Sequence, residues 1–372
     1  MSLVSLASPD SAAATIARYL LVLGLKSSLL FATAGVIALV MRRRAAAARH
    51  MVWMGAIIGT ALLPVVGALV PGAWSLRLLS APTVLQVAPS RAPRAETRVG
   101  IGAITAPSQR AVVAADVASP TGSSLGALGP AQGSAHVVHV GVVAIGLLVW
   151  ALGALWFLAR TTLSILALAR LRRHAAPVTD PGWVRTLEVI ASGRPRVALL
   201  MSDDVDVPVT WGILRPIILL PREADEWSPS RRELVLRHEL AHVDRHDVMS
   251  QLIARLVRAL HWPNPLAWMA EQGVRRECEQ ACDDTVLSAG VRPTRYAEEL
   301  LEIACELSPR SIASLAPGLA SRPSLELRLR ALLDTRSTRR RATRVDAVFT
   351  AAGALSLAFP LAAMRPAERG AS

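Results

Sequence analysis

His238, Glu239 and His242 stand in the run His238-Glu239-Leu240-Ala241-His242, inside a stretch patterned like a helix. Residues four apart on a helix lie one turn apart on one face, so both imidazoles can reach one metal ion. Glu239, beside the first histidine, can then reach a water held by that ion and take its proton. This is the core of a zinc peptidase, in which the metal acidifies a water and the glutamate is the general base. A second helix offers the missing ligand. Glu279 and Asp283 are four apart and share a face. Glu279 can give a carboxylate to zinc, and Asp283 can accept the N–H of a zinc-bound histidine and fix its tautomer. Three protein ligands plus water is the open, catalytic form of a zinc site.

Other residues near the motif have two readings each. Asp247, nine residues after His238, either braces the helix or the site or belongs to a solvated or salt-bridged face. His246 lies one turn beyond His242, but a third histidine of the metzincin kind stands six residues after the second with a Gly between. Asp244-Arg245-His246 occupies that stretch, so Glu279 is preferred. Tyr296 is a candidate oxyanion or substrate contact, with packing as the alternative. Cys282 either approaches the metal or is a small buried hydrophobe.

The elements that must position these residues carry clear punctuation. Ser228-Pro229 is an N-cap followed by a first-turn proline, and the pattern from there runs to about Leu260. Asn264-Pro265 starts the helix that bears Glu279, and Gly290 stops it. Arg196–Met201, Pro208–Ile213 and Pro216–Leu220 have strand character, so a small sheet is expected beside the active-site helix. Its edge strand could bind an extended substrate through main-chain hydrogen bonds. The segment Val248–Trp268 mixes apolar residues with Arg and Trp, and is expected either at the inner leaflet or span helices or in ordinary core packing.

The chain is also apolar enough to live in a membrane. It has 372 residues, 52% hydrophobic, with mean hydropathy +0.39. Four spans are expected, about Tyr19–Met41, Met51–Val70, Val137–Leu158 and Ala347–Met364. Arg42–Arg44 with Arg49, Arg170 with Arg172–Arg173, and Arg339–Arg341 with Arg344 all fall on one side if the N-terminus is outside. The positive-inside rule makes that side the cytoplasm. The expected division is therefore 1–70, two spans and an Arg-rich inner loop; 71–136, an outer low-complexity loop; 137–170, the third span; 171–343, a cytoplasmic peptidase domain; and 344–372, the fourth span with a short outer tail. The fold class is an α-helical membrane protein with a mainly α, α+β zinc protease domain containing a small sheet. The net charge of +13 is explained by these flanking clusters and anionic lipid, so direct nucleic-acid binding is not expected. Cys278, Cys282 and Cys305 all fall in the inner segment, where disulfides are not expected.

The HELAH run, the Glu279-Gln280-Ala281-Cys282-Asp283 run, and Pro208-Val209-Thr210-Trp211-Gly212 leading to Arg215–Pro221 together resemble the BlaR/MecR-type membrane metallopeptidases. These are integral membrane gluzincins related to the Ste24-like and HtpX-like proteases. The resemblance extends through the helix at Tyr296–Leu301. It implies Zn2+ held by His238, His242 and Glu279, with Glu239 as base. It also implies a cytosolic protein substrate, a winged-helix transcriptional repressor, cleaved in an antibiotic or envelope-stress response. The expected location is the bacterial inner membrane with both termini outside, and a homodimer is one expected state. The best-known members carry an outer penicillin-binding domain acylated at the Ser of an S-x-x-K motif. Lys26 is the only lysine here and Leu23 stands three before it, so that domain and direct covalent sensing of β-lactams are not expected. The competing functions are membrane-protein quality control and a transducer that works without catalysis.

Overall fold

The computed structural model describes residues 9–69, 133–191, 197–306 and 322–334, with single positions 353, 360 and 361. Three long helices come first in chain order. These are α1 (Pro9–Val40), α2 (Ala46–Leu69) and α3 (Gly133–His174), with a tight 3-10 turn, Met41–Arg43, between the first two. Their apolar stretches, Thr15–Arg43, Ala46–Ala68 and Val143–His174, are long enough to cross a membrane. Leu148, Leu152, Leu155 and Trp156 of α3 face outward, as helices solvated by hydrocarbon do. The fourth expected span, Ala347–Met364, and the loop at 71–132 lie outside the described residues, apart from the single positions just given. The third helix is longer than expected and continues unbroken to His174.

After α3 come β1 (Ala176–Pro177), α4 (Pro181–Ile190), β2 (Ala198–Ser202), β3 (Val209–Trp211) and β4 (Ile217–Pro221). The sheet order is β1-β2-β4-β3, with β2 and β4 parallel and the outer pairs antiparallel. The strand β4 is buried along its whole length, as a central strand covered on both faces must be. Trp183 of α4, with Met201, Ile218 and Leu220 of the sheet, packs on Leu236 and Leu240. These last two lie on α5 (Pro229–Asp244), the helix of the HELAH run. The sheet therefore fixes α5 from one side.

Helices α6 (Asp247–Leu260), α7 (Pro265–Ser288), α8 (Pro293–Glu306) and α9 (Arg322–Leu333) complete the described chain. The single helix expected from Pro229 to about Leu260 is in fact two. His246 takes a left-handed conformation, φ 56 and ψ 39, and breaks the run into α5 and α6. Hydrophobic patterning misses such a break because both halves keep an apolar face.

The α6–α7 hairpin stands among the long helices. Phe31 and Ala34 of α1, Trp53 and Ile57 of α2, and Ala270 and Val274 of α7 share one buried cluster. Gly273 of α7 is required there, because a Cβ at that position would meet the Trp53 ring at 2.5 Å. Gly153 of α3 has the same role against Trp262, whose ring a Cβ would meet at 2.3 Å. Asn264 caps α7 by accepting from Leu266 N–H at 3.0 Å, and donates to Ser28 Oγ of α1 at 3.0 Å. Trp262 Nε1 donates to the Trp150 carbonyl of α3 at 3.0 Å. The hairpin turn thus reaches the middle of the apolar stretch of α1. Within the segment Val248–Trp268, Ala254, Val257 and Ala267 pack with residues of α1 and α2 in that cluster.

Candidate metal centre

Helix α5 begins at Ser228, whose Oγ accepts from Arg231 N–H at 3.2 Å. This cap and the sheet contact set the helix so that His238 and His242 face α7. Their rings lie 4.9 Å apart at 85°. On α7, Glu279 points back between them. His238 Nε2 is 3.6 Å from Glu279 Oε2, and His242 Nε2 is 3.8 Å from Glu279 Oε1. A tetrahedral cation with bonds of about 2.0–2.2 Å separates such N and O donors by roughly 3.3–3.6 Å. The donor set is therefore of the right size. His238 Nε2 and Glu279 Oε2 are buried and have no hydrogen-bond partner. Buried polar atoms without partners are costly, and a cation between these donors would satisfy both.

Each histidine presents its other nitrogen to a carboxylate. His238 Nδ1 lies 3.2 Å from Asp283 Oδ1, and His242 Nδ1 lies 3.0 Å from Asp247 Oδ2. Such pairing fixes the tautomer with Nε2 free for a metal. Asp283 is held in turn by Arg328 of α9, whose Nε and Nη2 donate to it at 2.9 and 2.6 Å. Arg328 Nη1 also lies 3.3 Å from Glu279 Oε2. Tyr296 donates to Asp283 Oδ1 at 2.8 Å and lies 3.0 Å from His238 Nδ1. Its hydroxyl therefore stands on the Asp283 side of His238, away from the nitrogen that faces Glu279. This placement fits a brace for the ring, in line with the packing reading of Tyr296, better than an oxyanion contact.

The electrostatics follow from burial and these partners. Burial works to raise the Glu279 carboxyl, but the close contact with the His238 ring and the Arg328 charge outweigh it and hold it down to about 2. Asp283 is likewise kept well below the usual carboxylate range, burial being overcome by Arg328 and His238. For Asp247, burial is overcome by His242 and Arg245. Burial disfavours both imidazolium ions, yet Asp283 and Glu279 raise His238, while Cys278 and Asp247 raise His242 well above the ordinary value. Tyr296 is pushed up by burial and by the Asp283 charge, so it stays a hydrogen-bond donor. These directions describe a pocket that favours positive charge.

Glu239 faces the open side. Thr210 Oγ1 donates to its Oε2 at 2.7 Å. Thr210 lies on β3, the edge strand, so one bond ties the carboxylate to the strand next to the cleft. That cleft is a cavity of about 130 Å³ lined by Thr210, Trp211, Glu239, His242 and Glu279, with Thr161 of α3 opposite. Of the residues singled out in the sequence, His238, Glu239, His242, Glu279, Asp283 and Tyr296 are all brought together. Asp247 is 1% exposed, so it is not solvated, and it both braces His242 and pairs with Arg245 at 3.2 Å. His246 is exposed and contributes only the turn. Sequence reasoning missed Arg328 and Thr210. Nothing local marks Arg328, which is 45 residues from Asp283, while Thr210 is an ordinary strand residue until β3 is seen beside α5.

Comparison with known proteins agrees with this geometry. The sequence profile of the BlaR1 peptidase M56 family matches residues 25–332. The regulatory protein BlaR1 of Bacillus licheniformis is 30% identical over 142 residues, 37% of this chain and 24% of that protein. The methicillin resistance mecR1 protein of Staphylococcus aureus is 27% identical over 112 residues, 29% of this chain and 19% of that protein. The matched segments thus span a quarter or less of the length of these relatives. The profile covers most of the chain, the long apolar helices and the helices around the histidine pair alike, and the chain belongs to the BlaR1 peptidase M56 family of membrane metallopeptidases.

Proposed function

We propose that this protein is a membrane zinc endopeptidase that cuts a cytosolic protein in signal transduction. The observation that carries this reading is the convergence of His238 Nε2, His242 Nε2 and Glu279 beside a carboxylate, Glu239, that no metal ligand uses. His238, His242 and Glu279 would hold the zinc, which supplies Lewis acidity toward a water and a peptide carbonyl. Glu239 accepts the proton of the attacking water on its carboxylate and delivers it to the departing amide nitrogen. Thr210, by donating to Glu239 Oε2, leaves Oε1 as the oxygen that moves the proton. Asp283 and Asp247 hold the two imidazoles in the tautomer that directs Nε2 at the metal. The substrate runs extended along β3, whose outer edge has no strand partner among the described residues.

The placement of the site against α1, α2 and α3 supports a substrate cut at the inner membrane face. The domain division, with residues 171–343 inside and both termini outside, rests on the Arg clusters. The resemblance to regulators of resistance supports a DNA-binding repressor of the winged-helix class as substrate, and antibiotic or envelope stress as signal. A homodimer belongs to the same reading. N-terminal peptide profiling of cells expressing wild type or Glu239→Gln tests it without presupposing a substrate. The expected result is one or a few new cytosolic N-termini that need Glu239, in a small DNA-binding protein. Scattered membrane-protein termini would replace the regulatory reading with quality control, and identical profiles under cell-wall stress would sink the catalytic one.

A further inference from the structure

A second group of metal-ligating atoms lies behind His242. Asp247 Oδ2 is 3.0 Å from His242 Nδ1, Cys282 Sγ 3.3 Å and Cys278 Sγ 3.6 Å. Cys282 Sγ is 3.4 Å from Asp247 Oδ2. All four donors lie within 4.8 Å of one another. A tetrahedral site with bonds of about 2.0–2.1 Å to N and O and about 2.3 Å to S separates its donors by roughly 3.3–3.8 Å. The measured separations are close to these without any rearrangement of the helices.

The surroundings fit a cation as well. Both thiols are fully buried, but their neighbours are polar, unlike those of cysteines that act as small hydrophobes. Gln251 Nε2 lies 3.7 Å from Cys278 Sγ as a donor, the bond that commonly supports a metal-bound thiolate. Arg245 Nε lies 3.2 Å from Asp247 Oδ2 and offsets negative charge. Asp247 Oδ1 is buried without a hydrogen-bond partner. The spacing Cys278–Cys282 is one helical turn, so α7 places both sulfurs on one face while Glu279 turns to the cleft.

We infer that His242 Nδ1, Asp247, Cys278 and Cys282 form a second cation site, for a thiophilic divalent ion, distinct from the cleft site and sharing the His242 ring with it. Two sulfurs select for soft or borderline ions such as zinc or cadmium over magnesium or calcium. Binding there releases the two thiol protons and moves the proton of His242 Nδ1 off the bond to Asp247. A cation on Nδ1 of the neutral ring shifts that proton to Nε2, so Nε2 no longer offers its lone pair to the cleft site. The two sites therefore compete. Excess thiophilic metal draws His242 out of its cleft role. The inference concerns metal binding alone and stands whether or not the protein cuts a repressor.

Cobalt(II) titration of the full-length, reduced, metal-free protein in detergent tests it, because sulfur coordination gives a near-ultraviolet charge-transfer band that nitrogen and oxygen ligands do not. The exposed third thiol is removed first by Cys305→Ser. The expected result is a sulfur-to-cobalt band in wild type, strengthened in Glu279→Gln, where the cleft site is lost. The band should fall in Cys278→Ser or Cys282→Ser and vanish when both are changed, with circular dichroism showing each variant folded. Saturating cobalt that gives visible bands but no sulfur band in folded wild type and Glu279→Gln would overturn the site. A band equal in the two would overturn the competition.

Discussion

Helix α7 buries carboxylates toward two different neighbours, and the two groups are satisfied in different ways. Glu277 turns to Arg49 of α2, which donates to it from Nε at 2.7 Å and to Gln280 Oε1 from Nη2 at 2.7 Å. Arg49 Nη1 also donates to the Arg42 carbonyl at 3.2 Å and to that of Arg44. That pair is closed: each charge has its partner, and the bond pins a membrane helix to α7. Two and six residues on, Glu279 and Asp283 turn the other way, toward the histidines. There Glu279 Oε2 has only the charge of Arg328 Nη1 at 3.3 Å, and it and His238 Nε2 stay without a hydrogen bond although both are buried. A buried charge whose partners are all present is structure, whereas one with a bonding demand left over marks where a ligand belongs.

The contrast can be broken from either side. Glu279→Gln should have the largest effect: metal affinity falls by more than the roughly 10–100-fold typical of an outer partner, and cleavage is lost, as metal analysis of the purified protein and a peptide assay would read. Arg49→Ala should do the opposite. It leaves buried Glu277 only the long 3.9 Å pair with Arg276 and costs about 3–5 kcal/mol in thermal or denaturant unfolding, while the folded fraction keeps its metal affinity. Equal metal loss in both variants would erase the distinction between the two faces of α7. Asp283→Asn removes a charge from behind His238 and should weaken metal binding by about 10–100-fold in competition with a chelator. Tyr296→Phe removes one donor from the same carboxylate and should cost about 1 kcal/mol in stability. A larger loss of turnover than of stability there would return Tyr296 to the cleft.

Much of this site was legible because its information is local. The spacing of His238 and His242, the four-residue step from Glu279 to Asp283, and the caps at Ser228 and Asn264 need only helix geometry to be interpreted. Strands β2, β3 and β4 were found within two residues of their expected starts for the same reason. What escaped depends on tertiary placement. Asp247 reaches His242 only because His246 adopts a left-handed conformation and turns the chain, and the modest enrichment of histidine in that conformation is too weak a signal to announce it. Arg328 meets Asp283 across separate helices, and β1, two residues long, has too little pattern to detect. Cys278 was passed over because a lone buried cysteine is ordinary; its meaning comes from Asp247 and His242 standing against it.

The most direct test of the central claim is a paired measurement on purified Glu239→Gln and wild type, bound metal per chain and the rate of peptide-bond cleavage. The account predicts equal metal and a rate lower by about 10²–10⁴-fold, the usual contribution of a positioned general base. Cleavage at the wild-type rate with the metal retained would contradict it, and would remove Glu239 from the chemistry.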